Sequence, residues 1–155
     1  MKQTASRTLV FFFATAFVLS IAPGVQAEDK GCSNATLRGT FAYTVTGVTS
    51  APPPFGGPIA GVGKQTLDGN GHVSGTQTVS VNGNILRQTY TGTYTVNPDC
   101  TGSITLVVNI PPGLVTHSDF VIDDNGAEIR TVETDGGGVI TVIARRQFPD
   151  GDWRQ

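Results

Sequence analysis

Residues 72–96 read HVSGTQTVSVNGNILRQTYTGTYTV, and this stretch decides the fold class. Apolar and polar residues alternate on both sides of Asn82-Gly83, which is the pattern of strands with one buried face. Asn-Gly favours the positive φ angles of a two-residue hairpin turn. The stretch therefore predicts two antiparallel strands, His72–Val81 and Ile85–Val96.

The same pattern continues outward in both directions. Turns rich in Gly, Pro, Asn and Asp separate further alternating segments at near-regular spacing, which is typical of all-β barrels and sandwiches. No segment has the pattern of a long helix. The other predicted strands are Thr36–Thr49, Ile59–Leu67, Cys100–Ile110, Val115–Ile122, Ala127–Thr134 and Val139–Arg146.

The predicted strands are eight in number, and each connection is short enough to join antiparallel neighbours. An up-and-down meander of eight strands can close on itself and so remove its exposed edges. We therefore predict an eight-stranded antiparallel barrel, with a β-sandwich as the alternative. An outer-membrane barrel fits less well, because the threonine faces are polar and aromatic girdles are absent.

The first 27 residues have the pattern of a signal peptide. Lys2 and Arg7 precede an apolar run from Leu9 to Ala22, and Val25-Gln26-Ala27 resembles a cleavage site. We therefore expect a secreted or periplasmic protein whose mature part, residues 28–155, is a single domain. The apolar run is shorter than a transmembrane helix requires and ends at a cleavage site, so we expect it to be removed rather than to remain as an anchor. We therefore expect no membrane span in the mature chain.

The two cysteines, Cys32 and Cys100, both lie in the predicted mature part. An even number of cysteines in an exported chain indicates a disulfide. The alternatives are two free thiols or a metal pair, but the chain's two histidines lie far from each other in sequence. We predict one Cys32–Cys100 disulfide.

Composition limits the classes of partner. The whole chain has 10 Lys and Arg against 12 Asp and Glu. Because two of the basic residues lie in the leader, the mature part has a net charge of −4. Nucleic acids and anionic lipids favour basic surfaces, so we expect no nucleic-acid partner.

Three groups of residues suggest chemistry that the spacing does not support. His117, Ser118 and Asp119 are the residue types of a hydrolytic triad, but neighbours on a strand point to opposite faces. The Asp68-Gly-Asn-Gly and Asp123-Asp-Asn-Gly turns are rich in oxygen, yet they match no calcium-loop spacing and suit ordinary turns. His72 and His117 lack further zinc ligands. We expect no catalytic residue, metal or cofactor.

Burial of the largest apolar side chains places one face of each strand inside the barrel. Glu133 shares a face with Ile129 and Thr131, and Arg145 shares one with Val139 and Ile143. If those faces line the barrel, the lumen holds a carboxylate and a guanidinium, which are functional candidates when buried; otherwise both lie at the open rim. Buried tyrosines also need hydrogen-bond partners. The candidate ligand-binding residues are Tyr43, Tyr90, Tyr94, Glu133 and Phe55. Phe55 belongs to residues 51–58, which form either a lid over the barrel mouth or a plain solvated connection.

Three stretches carry a resemblance: residues 32–43 (CSNATLRGTFAY), residues 67–75 (LDGNGHVSG) and residues 90–102 (YTGTYTVNPDCTG). They resemble a group of small secreted bacterial proteins of uncharacterised function. The resemblance implies a shared fold and export, and it assigns no functional residue. The eight-stranded meander is also similar in architecture to allene oxide cyclase, dirigent and lipocalin-like barrels, and fold alone does not imply function.

These observations favour a non-enzymatic secreted or periplasmic barrel that binds a small apolar ligand or acts at the cell surface. One alternative is a barrel cyclase or isomerase, which would fold an apolar substrate inside a shaped cavity. Another is a structural or adhesive module with a filled core. The size of the lumen separates them, since a cavity of about 300 Å³ or more suits a ligand.

Overall fold

Eight antiparallel strands, each paired with its neighbours in chain order, account for most of the described chain. The structure is a computed structural model, and it describes residues 31–148. The strands are β1 Gly39–Thr49, β2 Gly57–Leu67, β3 His72–Val81, β4 Asn84–Val96, β5 Thr101–Val108, β6 Leu114–Asp123, β7 Glu128–Glu133 and β8 Gly138–Arg146.

The sheet closes between its first and last strands. β1 pairs with β8 from Phe41 opposite Arg146 to Thr49 opposite Gly138. Closure leaves no exposed sheet edge. The predicted eight-stranded up-and-down barrel is confirmed, and the sandwich alternative is wrong.

The first predicted strand begins too early. Asn34–Leu37 forms a 3₁₀ helix, and β1 begins only at Gly39. The side chain of Asn34 accepts a hydrogen bond from the Val96 N–H at 2.8 Å, and its carbonyl accepts one from the Tyr94 hydroxyl at 3.1 Å. These bonds hold the segment across the end of the barrel, so it cannot continue as a strand.

The barrel has two ends, which we call the base and the mouth. At the base, β1, β3, β5 and β7 begin, and both 3₁₀ helices, Asn34–Leu37 and Asp124–Gly126, lie there. The mouth is the opposite end, where the same four strands end. Leu37 projects from the first 3₁₀ helix into the core and is fully buried with Phe41. The base is therefore closed by apolar packing.

The cysteines form the predicted disulfide. Cys32 and Cys100 are bonded with their Cα atoms 4.9 Å apart, and 68 positions separate them in sequence. The bond ties the segment before β1 to the β4–β5 turn at the base. The predicted leader, residues 1–27, lies outside the described residues. Among residues 31–148, neither short helix could cross a membrane.

Candidate functional site

The inner wall of the barrel differs between its two sides near the mouth. On β1, β3 and β4 the inward side chains Val45, Val79 and Gln88 are buried. On β5–β8, apart from the buried Val108, the inward side chains in this half of the barrel are at most partly buried, so water reaches them. We define the mouth site as five of these: Leu106, Ser118, Thr131, Glu133 and Val142.

An internal cavity lies beside the mouth site. Its volume is about 70 Å³, and four mouth-site residues line it together with Tyr43 and Tyr90. That volume exceeds what one water molecule needs, but it is well below the about 300 Å³ that drug-sized ligands occupy. The lumen is therefore largely filled, with a small partly polar space left in the middle.

Two tyrosines lie flat against the wall because glycines face them. Tyr43 pairs with Gly63 across β1 and β2, and Tyr90 pairs with Gly75 across β3 and β4. A Cβ atom on either glycine would overlap the tyrosine ring and hydroxyl. The missing side chains give each ring room on the wall, and the centre of the lumen is left to the cavity.

The tyrosine hydroxyls take part in a chain of hydrogen bonds through the lumen. Tyr90 donates to Tyr43 at 2.9 Å, and the Gln65 Oε1 lies 3.2 Å from the Tyr90 hydroxyl as a second acceptor. Tyr43 donates to Gln77 at 3.0 Å. Gln77 in turn donates to Gln88 at 2.7 Å. Among the described residues, no buried side-chain nitrogen or oxygen lacks a partner.

Burial keeps both phenols neutral. It raises the pKa of Tyr43 to about 12, although the hydrogen bond from Tyr90 offsets part of the effect. Burial also raises the pKa of Tyr90, and the neighbouring Tyr43 raises it further. Both hydroxyls therefore stay protonated at physiological pH and act as hydrogen-bond donors rather than as bases.

The three glutamines in this series of hydrogen bonds were not predicted from the sequence. Gln65, Gln77 and Gln88 each occupy an inward position on β2, β3 or β4, and Gln88 also donates to the Ile110 carbonyl. A glutamine in phase with buried residues is the signal that could have found them. Gln88 ties the β5–β6 loop to the lumen, so the polar chain reaches the mouth.

Tyr94 lies apart from the other two tyrosines. Its hydroxyl accepts a hydrogen bond from the Gly69 N–H at 3.0 Å and donates to the Asn34 carbonyl at 3.1 Å. Both partners belong to the base. The structure therefore brings Tyr43 and Tyr90 together at the cavity, and it places Tyr94 where it holds the closed end.

Glu133 lies on the inner face at the mouth end of β7, opposite Ser118. Its carboxylate has no hydrogen bond or ion pair within residues 31–148. Burial, followed by the negative charge of Asp135, raises the pKa of Glu133. The site thus contains one acidic group without a counter-charge.

The predicted companion guanidinium is not in the lumen. Arg145 lies on the outer face and bonds to Glu128 at 2.8 Å, with 77 % of its side chain exposed. The inward arginine is its neighbour Arg146, at the base. Both faces of β8 carry Val and Ile, so apolar alternation could not decide which face is buried.

The loop that carries Phe55 spans part of the mouth. The Ser50 N–H and hydroxyl both donate to the Gly137 carbonyl, and Asn84 donates to the Pro54 carbonyl at 3.1 Å. Phe55 itself is 43 % exposed and does not line the cavity. The loop is therefore held at both ends while its one aromatic side chain faces water.

His117, Ser118 and Asp119 do not form a relay. His117 is exposed on the outer face and bonds through Nδ1 to Asp135 at 2.9 Å, whereas Ser118 faces the lumen. Hydrogen bonds from His117 lower the pKa of Asp135. No group of three or more His, Cys, Asp or Glu side chains in residues 31–148 could hold a metal ion.

Exposed apolar side chains gather around the mouth. They come from β1 and from β4 to β8, and from the loops between strands. The set at this end comprises Val48, Phe55, Ile85, Val107, Ile110, Leu114, Val115, Val132 and Val139. The base, by contrast, carries the ion pairs that link Asp123, Glu128 and Arg130.

Comparison with known proteins supports the fold and does not identify a family. No protein-family model and no curated protein matches the chain. One similar structure is a redesigned β-barrel, b11L5F_LGL, at TM-score 0.52 and 14 % identity, covering 74 % of this chain and 94 % of that one. Two other redesigned barrels, mFAP1 and mFAP0, are each bound to DFHBI.

The two DFHBI-bound barrels align over most of both chains. mFAP1 has TM-score 0.52 and 16 % identity, and the alignment covers 73 % of this chain and 97 % of mFAP1. mFAP0 has TM-score 0.51 and 16 % identity, with 72 % and 99 % covered. At this level of identity the likeness concerns the fold.

Proposed function

We propose that this protein binds a small, mostly apolar ligand at the mouth site, with the tyrosine and glutamine chain as the polar wall of the pocket. The observation that carries the proposal is the asymmetry of the lumen. The base is packed shut, whereas the mouth-site side chains are reached by water and adjoin a partly polar cavity. Pockets of this kind combine apolar walls with a few fixed polar groups.

The cavity alone is too small for the proposed ligand. We infer that the ligand occupies the 70 Å³ cavity and extends from it along the water-accessible mouth-site side chains of β5–β8. Leu106 and Val142 supply apolar contacts there. The neutral phenol of Tyr43 and the amide of Gln77 supply hydrogen-bonding groups. The structural neighbours mFAP1 and mFAP0, which hold the small molecule DFHBI, support the idea that such a barrel can take a ligand.

Titration with the neutral apolar dye N-phenyl-1-naphthylamine tests the proposal. Wild-type protein should bind the dye saturably at one site per chain. Ser118→Leu places a branched side chain in the cavity and should weaken binding by about tenfold or more, a loss of about 1.4 kcal/mol. Thr131→Ile is a second variant that fills the same cavity, for use if Ser118→Leu folds poorly.

Ser74→Leu is the matched control, because Ser74 is exposed on the outer face of β3 and should leave binding unchanged. Circular dichroism would establish that each variant is folded. The proposal fails if folded wild type shows no saturable binding, or if the cavity variants bind as well as Ser74→Leu.

A structural or adhesive module is the second candidate. The small cavity favours it, and so does the ring of exposed apolar side chains around the mouth, since such patches mark interaction surfaces. In that case the dye would not bind saturably inside the barrel. The titration therefore separates the two candidates.

We also propose that the protein acts outside the cytoplasm. The Cys32–Cys100 disulfide supports this, because disulfides persist in oxidising compartments. N-terminal sequencing of protein recovered from its host should begin near Glu28. An intact Met1 would contradict the proposal.

A further inference from the structure

Only two charged side chains face the lumen from the described strands, and only one of them has hydrogen-bond partners within the protein. Arg146, at the base, donates to the carbonyls of Thr36, Arg38 and Gly126. Its guanidinium also lies 4.6 Å from the centre of the Phe41 ring. Three backbone carbonyls and one aromatic ring within the protein thus hold this charge.

Glu133 has no such partners. Its carboxylate lies on the inner face beside Ser118 and Thr131, both neutral, and no basic side chain faces the lumen at the mouth. The ionisable group that acts on it, Asp135, is also acidic. A partly buried carboxylate without a counter-charge is costly, and such groups concentrate at functional sites.

We propose that the ligand carries a positively charged amine, and that Glu133 is the group that binds it. This inference rests on the proposed function, because it names the chemical class of ligand for the same site. An ammonium group at the mouth would supply the missing counter-charge, while the apolar remainder would lie along Leu106 and Val142 toward the cavity.

The surroundings favour a cation over other head groups. An anionic ligand would meet the negative charges of Glu133 and Asp135. A neutral hydroxyl would donate one hydrogen bond to Glu133 and leave the charge uncompensated. Both donors would make a charge-assisted hydrogen bond to the carboxylate, but only the ammonium adds the attraction of an opposite charge, so the ammonium should be preferred.

Competition by three ligands with the same chain tests the inference. Octylammonium, octanol and octanoate would displace N-phenyl-1-naphthylamine from wild type at about pH 7, where the amine and the acid are both charged. Octylammonium should displace the dye at a concentration about tenfold lower than octanol does, because only the ammonium adds the attraction of an opposite charge. Octanoate should be the weakest competitor.

Glu133→Gln should remove this preference, so that octylammonium and octanol compete alike once each is scaled to the variant's own affinity for the dye. Asp119→Asn is the matched control, since it removes the same charge from the exposed outer face of β6, next to Ser118. It should keep the wild-type order of the three ligands.

The outcomes separate this inference from the proposed function. If the dye binds and Ser118→Leu weakens it, but the three ligands compete equally or the order survives Glu133→Gln, the amine inference is wrong and ligand binding stands. If the dye does not bind in the lumen, both are wrong. Loss of the order in Asp119→Asn as strongly as in Glu133→Gln would also overturn the role of Glu133.

Discussion

At the base of the barrel, Arg146 points inward and donates to three backbone carbonyls, and at the mouth, Glu133 also points inward but has no partner within residues 31–148. The burial of the neighbouring side chains also differs between the two ends. Leu37 and Phe41 are fully buried at the base, whereas Ser118, Thr131 and Glu133 are reached by water.

This difference shows which end of the molecule serves stability and which end is left incomplete. The base combines a disulfide, a plug of apolar side chains and an arginine bonded to three backbone carbonyls. The mouth leaves a charge uncompensated and part of the lumen open. A barrel that needed only to be stable would satisfy both ends alike, because unpaired buried groups cost free energy.

The largest expected effect comes from opening the base. Replacing both Cys32 and Cys100 by serine should lower the free energy of unfolding by about 2–5 kcal/mol, because the unfolded chain regains the freedom of a long loop. Urea denaturation of the double variant against oxidised wild type measures this. A loss near zero would show that the base does not depend on its covalent link.

A smaller loss is expected from Arg146→Gln. Removing the guanidinium leaves the carbonyls of Thr36, Arg38 and Gly126 without a donor, which should cost about 2–3 kcal/mol in unfolding free energy. Arg145→Gln is the control at the next position, and it should cost under about 1 kcal/mol because Arg145 is exposed and Arg130 still pairs with Glu128. Equal losses in the two variants would contradict the assignment of Arg146 to the base.

The positions of the strands could be predicted from the sequence, whereas the contrast between the base and the mouth could not. The alternation of β3 gave His72–Val81 correctly, and the sequence put Glu133 on the same face as Ile129, which is buried in the core. These features depend on neighbours in the chain, which a single sequence displays.

The rest could not be predicted, because it depends on contacts between distant strands. Both faces of β8 carry apolar residues, so the alternation could not show which of Arg145 and Arg146 faces the lumen. The bond between Gln77 and Gln88 and the volume left beside Tyr43 depend on how side chains meet across the lumen. The 3₁₀ helix at Asn34–Leu37 depends likewise on bonds to β4.

Between the two ends, Gly63→Ala should cost about 1–3 kcal/mol, because the new methyl group overlaps the Tyr43 hydroxyl and forces repacking. Gly136→Ala is the control, since a methyl group there meets nothing within 4 Å. Thermal unfolding of both variants measures the difference. If Gly63→Ala were as stable as Gly136→Ala, the packing of Tyr43 against the wall would be wrong.

The smallest expected effect is at the mouth. Because the pKa of Glu133 is raised above its ordinary 4.5 in the folded protein, ionisation of this group opposes folding. Wild-type stability should therefore fall, relative to Glu133→Gln, as pH rises from about the ordinary value through the raised one, and then level off. At about pH 7 the variant should be more stable by under about 1 kcal/mol, since the group is partly exposed.

Urea denaturation of wild type and Glu133→Gln across this pH range measures the difference. A variant less stable than wild type at about pH 7 would mean that Glu133 has a stabilising partner, and the contrast between the two ends would disappear.

The most direct test of the contrast is a map of dye-induced chemical-shift changes by nuclear magnetic resonance. With N-phenyl-1-naphthylamine added to isotope-labelled protein, the largest changes should appear at Leu106, Ser118 and Thr131, and small ones at the base residues Phe41 and Val96. Changes confined to outer-face residues, equal changes at both ends, or no saturable change would contradict the contrast.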